Sequence, residues 1–169
     1  MTADTSGAPP DRLQDALDRA YRYLGLRDRT EREMRSHLER IGFEACAVED
    51  AVRILTELEY LDDARFAVRF AQDRRELDAW GTERIERRLT ALGVDREHIR
   101  AALADQEAGS ELERALALLR RRFPVPPEDR RSRDRALGIL LRKGYELDVA
   151  LEALAAHAGV ESQTGGDIT

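Results

Sequence analysis

Three glycines, Gly42, Gly93 and Gly144, stand 51 residues apart, and the residues around them recur at the same spacing. Leu38, Leu89 and Leu140 keep the period, as do Ala51, Ala102 and Ala153, and Val52, Leu103 and Leu154. Phe43, Val94 and Tyr145 follow the glycines, with Val48, Ile99 and Ala150 five residues further on. A helix stopped by a glycine in the left-handed conformation, then an apolar pair at the spacing of a hydrophobic staple, makes one joint between two helices. This chain writes that joint three times, which predicts tandem three-helix units. A unit of about 45 residues lies near the size at which a core is marginal alone. Stacking on neighbours then supplies part of its stability. The period is too long for tetratricopeptide or ankyrin repeats, and HEAT or armadillo arrays run to many more copies.

Helical signals fill the intervals. Asp11 is expected to cap a first helix carrying Leu13, Ala16, Leu17, Ala20, Tyr21 and Leu24. Thr30 and Glu33 form a capping box for a second, with Met34, Leu38 and Ile41, and a third runs from about Glu44 to Leu58. The stretch Tyr60 to Phe70 opens the next unit. Asp62 is placed as its N-cap, Leu61 and Phe66 as its staple, and Asp63 as negative charge at the positive end of the helix dipole. Trp80-Gly81-Thr82 is a turn, Ile85, Leu89 and Leu92 mark the next helix, and Asp95 caps another with Ile99, Ala102 and Leu103. Gly109 is expected to break the chain, with Ser110 and Glu113 as a further capping box. The helix after it ends in Arg120-Arg121-Arg122, and Pro124 to Pro127 cannot be helical. Helices from about Glu128 to Lys143 and Leu147 to His157 complete the set. The expected organisation is a disordered tail over 1–10, repeats over 11–59, 60–108 and 109–157, and a disordered tail over 158–169. The fold is expected to be all-α.

Composition limits the chemistry. Of 169 residues, 37% are charged and only 5% aromatic, so Leu, Ala, Val and Ile must build the core. Basic residues number 28, of which Lys143 is the only lysine, against 34 acids, for a formal charge of −6. An acidic total argues against tight, sequence-indifferent binding to free DNA. Cys46 is the only cysteine, and its repeat equivalents, Glu97 and Asp148, place it on a partly exposed position as an inert thiol. His37, His98 and His157 are too dispersed for a local metal pair. There is no P-loop, nucleophile elbow or Cys-x-x-Cys. Neither catalysis, cofactor nor metal is expected. No basic and apolar leader opens the chain and no apolar run approaches about 20 residues, so a cytoplasmic protein without a membrane is expected.

Several motifs in this order resemble the RecX family, the bacterial regulators of the RecA recombinase. They are Ala20 to Arg27 with Arg29-Thr30-Glu31, Leu38 to Phe43, Tyr60-Leu61-Asp62-Asp63 with Arg65-Phe66-Ala67, and Leu141 to Tyr145. Gly81, Ile85, Leu89, Gly93 and Val94 continue the pattern, and the likeness covers roughly Ala16 to Leu154. Ile41 and Leu92 stand where the family often has a basic residue before the repeat glycine, and Trp80 stands where one is common before Gly81. The resemblance implies three three-helix repeats stacked into an elongated curved array. It also implies a monomeric partner of the RecA–DNA filament that modulates, mostly by inhibition, filament growth, ATP hydrolysis and strand exchange in DNA repair, homologous recombination and the SOS response. The alternative from another class is a nucleic-acid-binding repeat module that competes for single-stranded DNA.

Charge is unevenly spread. Between Arg114 and Lys143 ten basic residues face three acids, a local +7. Arg120, Arg121, Arg122, Arg130, Arg131, Arg133, Arg135, Arg142 and Lys143 are the candidates there for filament or DNA phosphate. The same run also reads as a solvated helix end and a charged loop. A second set, Arg65, Arg69, Arg84 and Arg88, belongs to the middle unit, where Glu83 and Glu86 offer simple surface pairing. Trp80 could stack on a base or close the space between two helices.

Overall fold

The computed structural model describes residues 10–104 and 108–159, which form nine helices and no strand among the described residues. They are α1 (Pro10–Leu24), α2 (Glu31–Arg40), α3 (Ala45–Glu57), α4 (Asp63–Asp78), α5 (Thr82–Ala91), α6 (Arg96–Ala104), α7 (Ala108–Arg122), α8 (Arg130–Lys143) and α9 (Leu147–Gly159). The all-α expectation is met, and α2 and α5 keep the 51-residue period at both ends. The expected tails lie outside the described residues except at their inner margins, where Pro10, Ala158 and Gly159 are helical.

Local chemistry explains most helix ends. Thr30 Oγ1 accepts the Glu33 N–H at 3.1 Å while the Glu33 carboxylate takes the Thr30 N–H at 3.2 Å, so the capping box is present. Asp62 caps α4 through the Arg65 N–H at 2.8 Å, and Asp129 caps α8 through the Ser132 N–H at 2.9 Å. Two expected caps are corrected. α1 starts at Pro10, where a missing N–H costs nothing, so Asp11 lies inside the helix. α7 starts at Ala108, so Gly109 and Ser110 belong to its first turn and do not precede it.

The chain divides into two compact units. One comprises the described residues up to Val68 with Leu89–Ile99, and the other comprises Arg69–Arg88 with the described residues from Arg100. The first buries Ala16, Ala20, Met34, Leu38, Val48, Ala51, Val52, Leu55 and Leu61. The second buries Ala115, Leu118, Leu119, Ala136, Leu140, Tyr145, Ala150 and Ala153. Tyr21, expected in the core stripe, is exposed and meets Tyr60 edge-on at 5.2 Å between ring centres. In the second unit His157 is buried, its Nε2–H donating to Phe123 O at 2.8 Å, which ties α9 to the end of α7.

Each unit contains one joint in which a glycine-ended helix meets the start of another. In the first, Gly93 ends α5 at φ +84°, and Leu92 O accepts a 2.7 Å bond from Thr30 Oγ1 at the start of α2. In the second, Gly144 ends α8 at φ +89°. There Lys143 O accepts from Gly81 N at 2.9 Å and Gly144 O from Glu83 N at 3.1 Å, both at the start of α5. Carbonyls left bare at one helix end thus find donors at the start of another, a side-chain hydroxyl at Gly93 and backbone N–H groups at Gly144. A Cβ on Gly93 would fall 2.6 Å from Arg32 Cβ, and one on Gly81 would collide with the Gly144 backbone.

Gly93→Val combines left-handed strain of about 1–2 kcal/mol with that collision, so a loss of about 2–3 kcal/mol is expected. The melting temperature, followed by circular dichroism, should fall by roughly 5–10 °C; an unchanged value would dismiss the joint. Asp63 supplies a separate tie within the first unit, its carboxylate accepting the Glu31 N–H at 2.9 Å. Burial pushes its pKa up, so the charge itself is disfavoured there. Asp63→Asn, which keeps an acceptor, should leave stability at pH 7 unchanged or higher, whereas Asp63→Ala should cost about 1 kcal/mol. Because the folded pKa is raised, the wild type should lose stability relative to Asp63→Asn as pH climbs through the carboxylate range.

Candidate binding surface

The second unit gathers positive charge around the end of α8. Lys143 Nζ donates to Asp78 O at 2.6 Å, satisfying a carbonyl at the end of α4. Its pKa is lowered by burial first, then by the nearby charges of Arg84, Arg122 and Arg121, with Asp78 opposing. Arg84, assigned from sequence to a separate middle set, thus acts on the same ammonium group as Arg122 and Arg121. Arg84 is itself engaged. Its guanidinium lies 4.1 Å from the centre of the Trp80 ring, and one Nη donates to Arg142 O at 3.0 Å. Phe70 meets Trp80 edge-on at 6.3 Å between centroids, and Arg74 approaches the ring at 5.6 Å. Trp80 thus fills the space at the α4–α5 turn, which leaves its faces little room for a base.

A cleft of about 570 Å³ lies between α4 and α7. Gln72, Arg75, Glu76 and Ala79 line one wall, and Arg114, Ala117, Leu118 and Arg121 the other. Both sets follow the three- and four-residue spacing of one helix face, so two stripes oppose each other with three guanidinium groups against one carboxylate. Arg75 was not among the sequence candidates, and Arg114 was counted in the charged run without being singled out. The signal was their spacing relative to Gln72, Glu76 and Arg121, visible only once α4 and α7 are known to face each other.

The rest of the charged run separates into distinct roles. Arg133 Nε donates to Pro127 O at 3.2 Å and so braces the proline connector, while Arg130 sits 3.9 Å from Asp134 with its side chain almost fully exposed. Arg120, Arg121, Arg122, Arg131, Arg135 and Arg142 are exposed, and their guanidinium groups carry no hydrogen bond or ion pair to the described residues. Arg131 and Arg142 stand eleven positions apart on α8, roughly 16 Å along its axis. The basic run is thus a strip along α8 and not a point. Arg88 is exposed on α5, and Arg69 belongs to the same unit. Arg65 lies in the other unit, where it donates to Glu59 O at 2.7 Å.

Among the described residues no cluster of three His, Cys, Asp or Glu could hold a metal ion, and no helix is long and apolar enough to cross a membrane. Cys46 is exposed. Tyr145 is fully buried, its hydroxyl donating to Ala79 O at 3.2 Å and its pKa pushed up to about 12 by burial. It is a structural phenol.

Nine helices with a recurrent glycine-ended joint, among the described residues, define an all-α protein of the tandem-repeat class. Family profiles for the first, second and third three-helix domains of RecX match residues 16–53, 62–103 and 110–154. The chain belongs to the RecX family. It is 33% identical over 159 residues to "Regulatory protein RecX" of Mycobacterium ulcerans, covering 92% of each chain. It is 35% identical over 138 residues to the protein of the same name from Stenotrophomonas maltophilia, covering 81% of this chain and 83% of that one. The crystal structure of RecX from Lactobacillus salivarius superposes with a TM-score of 0.78 at 19% identity, over 90% of this chain and 99% of that one. A second crystal structure, of a regulatory protein RecX, gives 0.70 at 26% identity, over 82% and 70%. The chain is thus a regulatory protein of this family with its all-α three-repeat fold.

The division between braced and open cations is testable. Lys143→Ala should cost about 1 kcal/mol by stranding the Asp78 carbonyl, a fall in melting temperature of roughly 2–4 °C. Arg121→Ala should leave it within error. Equal effects would mean that both side chains are structural or both are solvated.

Proposed function

We propose that the chain binds the RecA–DNA filament and restrains it, slowing filament growth, ATP hydrolysis and strand exchange. Beyond family membership, one observation carries this reading: exposed arginines without partners among the described residues line α8 and the end of α7 in an otherwise acidic protein. Such cations suit phosphate. The acidic total disfavours free DNA, so the fitting target presents phosphate together with a protein surface. The chain acts as a binder and not as an enzyme, in the cytoplasm, as a monomer, without cofactor. Direct competition for single-stranded DNA is the second reading. Trp80, already covered by Arg84 and Phe70, makes a poor stacking platform for it.

The test is DNA-dependent ATP hydrolysis by the cognate recombinase, with and without the protein at stoichiometric amounts. Inhibition is expected, and its absence would count against the reading. Reversing Arg121, Arg131 and Arg135 together to Glu should weaken inhibition while leaving the circular dichroism spectrum and melting temperature intact. If phosphates are the target, inhibition by the wild type should fall steeply with salt as counterions are released. Acidic side chains would give a gentler, screening dependence. A triple variant as potent as wild type would remove α8 from the interface.

A further inference from the structure

We propose that the exposed end of α2 at Gly42 is a third glycine joint, open to the N-terminal turn of a helix in the filament protein. That turn would begin with Thr, Ser or Gly and carry a basic side chain; the inference rests on the filament-binding reading above. Gly42 ends α2 as Gly93 ends α5 and Gly144 ends α8. All three have positive φ, at +96°, +84° and +89°. Each glycine N–H bonds the carbonyl three residues back at 3.0 Å, and the following N–H bonds the one five back at 3.1 or 3.2 Å. What differs is the far side. A Cβ on Gly93 or Gly144 would strike Arg32 or Arg84, whereas one on Gly42 meets nothing within 4 Å among the described residues. Ile41, at the position of Leu92 and Lys143, is 45% exposed.

The filled joints define the missing occupant. In each, a donor at the opening of a helix, Thr30 Oγ1 or Gly81 N, reaches the carbonyl before the glycine, Leu92 O or Lys143 O. These donors are 51 residues apart, as are the acceptors, and Ile41 O is the equivalent acceptor at Gly42. In each, an arginine of the incoming first turn packs over the glycine. Glu39 is exposed beside Gly42, which complements such a cation, while Glu44 on the other side already meets Arg12 at 2.8 Å. A second copy of this chain does not fit. Its α8 starts at Arg130, three residues before the period would place it, and Asp129 already caps that end. The place equivalent to Thr30 and Gly81 is Ser132, inside the first turn of α8.

Gly42→Asn is the direct test, because Asn tolerates the left-handed conformation while its side chain would obstruct an incoming helix. Its melting temperature should match wild type, and the concentration giving half-inhibition of recombinase ATP hydrolysis should rise about tenfold, as for one lost contact of that size. Ile41→Glu, at an exposed site, should act likewise. Both variants should bind a free oligothymidylate as wild type does. Wild-type potency in both variants would overturn the joint while leaving the filament reading intact. A wild type that fails to inhibit would instead overturn that reading. Loss of the Gly42→Asn effect on deleting residues 1–9 would also overturn the proposal, assigning this end to the chain's own N-terminal segment.

Discussion

The structure depends on how the ends of its helices meet. An α-helix leaves carbonyls bare at one end and N–H groups at the other, and a small helical unit has too little apolar surface to ignore them. Here the two kinds of end are set against each other at Gly93 and at Gly144, in separate units. The approach is possible only where no Cβ intervenes. At Gly144 the facing residue is also a glycine, Gly81, whose N–H reaches Lys143 O. Apolar burial beside these joints, from Leu38 and Val48 in one unit and Leu140 and Tyr145 in the other, supplies most of the free energy. The joints determine which helix ends may meet.

Much of this was legible in the residues, because periodicity and capping are local. The glycine period, the Thr30–Glu33 box, the Asp62 cap and the stripe of Val48, Ala51, Val52 and Leu55 follow from spacing alone, and the structure contains them all. The errors also have local causes. Asp11 looked like a cap because Pro10 was assigned to a tail, yet proline is well suited to a first helical position. Gly109 looked like a break, but a glycine in a first turn costs only about 1 kcal/mol. What spacing could not supply was the partner of each end. A C′ glycine is explained by its own φ, so nothing at Gly93 announced Arg32, and Gly81 read as an ordinary turn residue.

The candidate surface was legible as charge and not as geometry. Counting found the +7 between Arg114 and Lys143, but counting treats every cation alike. Folding divides them. Lys143 holds the end of α4, Arg133 the proline connector and Arg84 the face of Trp80. Arg121, Arg131 and Arg135 remain exposed. Sequence also missed Arg75, which enters through the facing stripes of α4 and α7.

The chain is acidic overall, yet that total does not erase the strip on α8. At physiological ionic strength fields between exposed charges fade over about 8 Å, so each surface region responds chiefly to the charges near it. Burial is the first cause of the lowered Lys143 pKa, and the charges that add to it, Arg84, Arg122 and Arg121, are local in this sense. Distant acids enter the long-range encounter, where a negative net charge disfavours approach to polyanions, and act little on the exposed arginines of α8. The two scales act in opposite directions. On the filament-binding reading proposed above, the net charge would disfavour unselective collisions with nucleic acid while the strip could still meet phosphate once another surface had brought the protein close. That is why the proposed target is a composite of protein and phosphate and not free DNA.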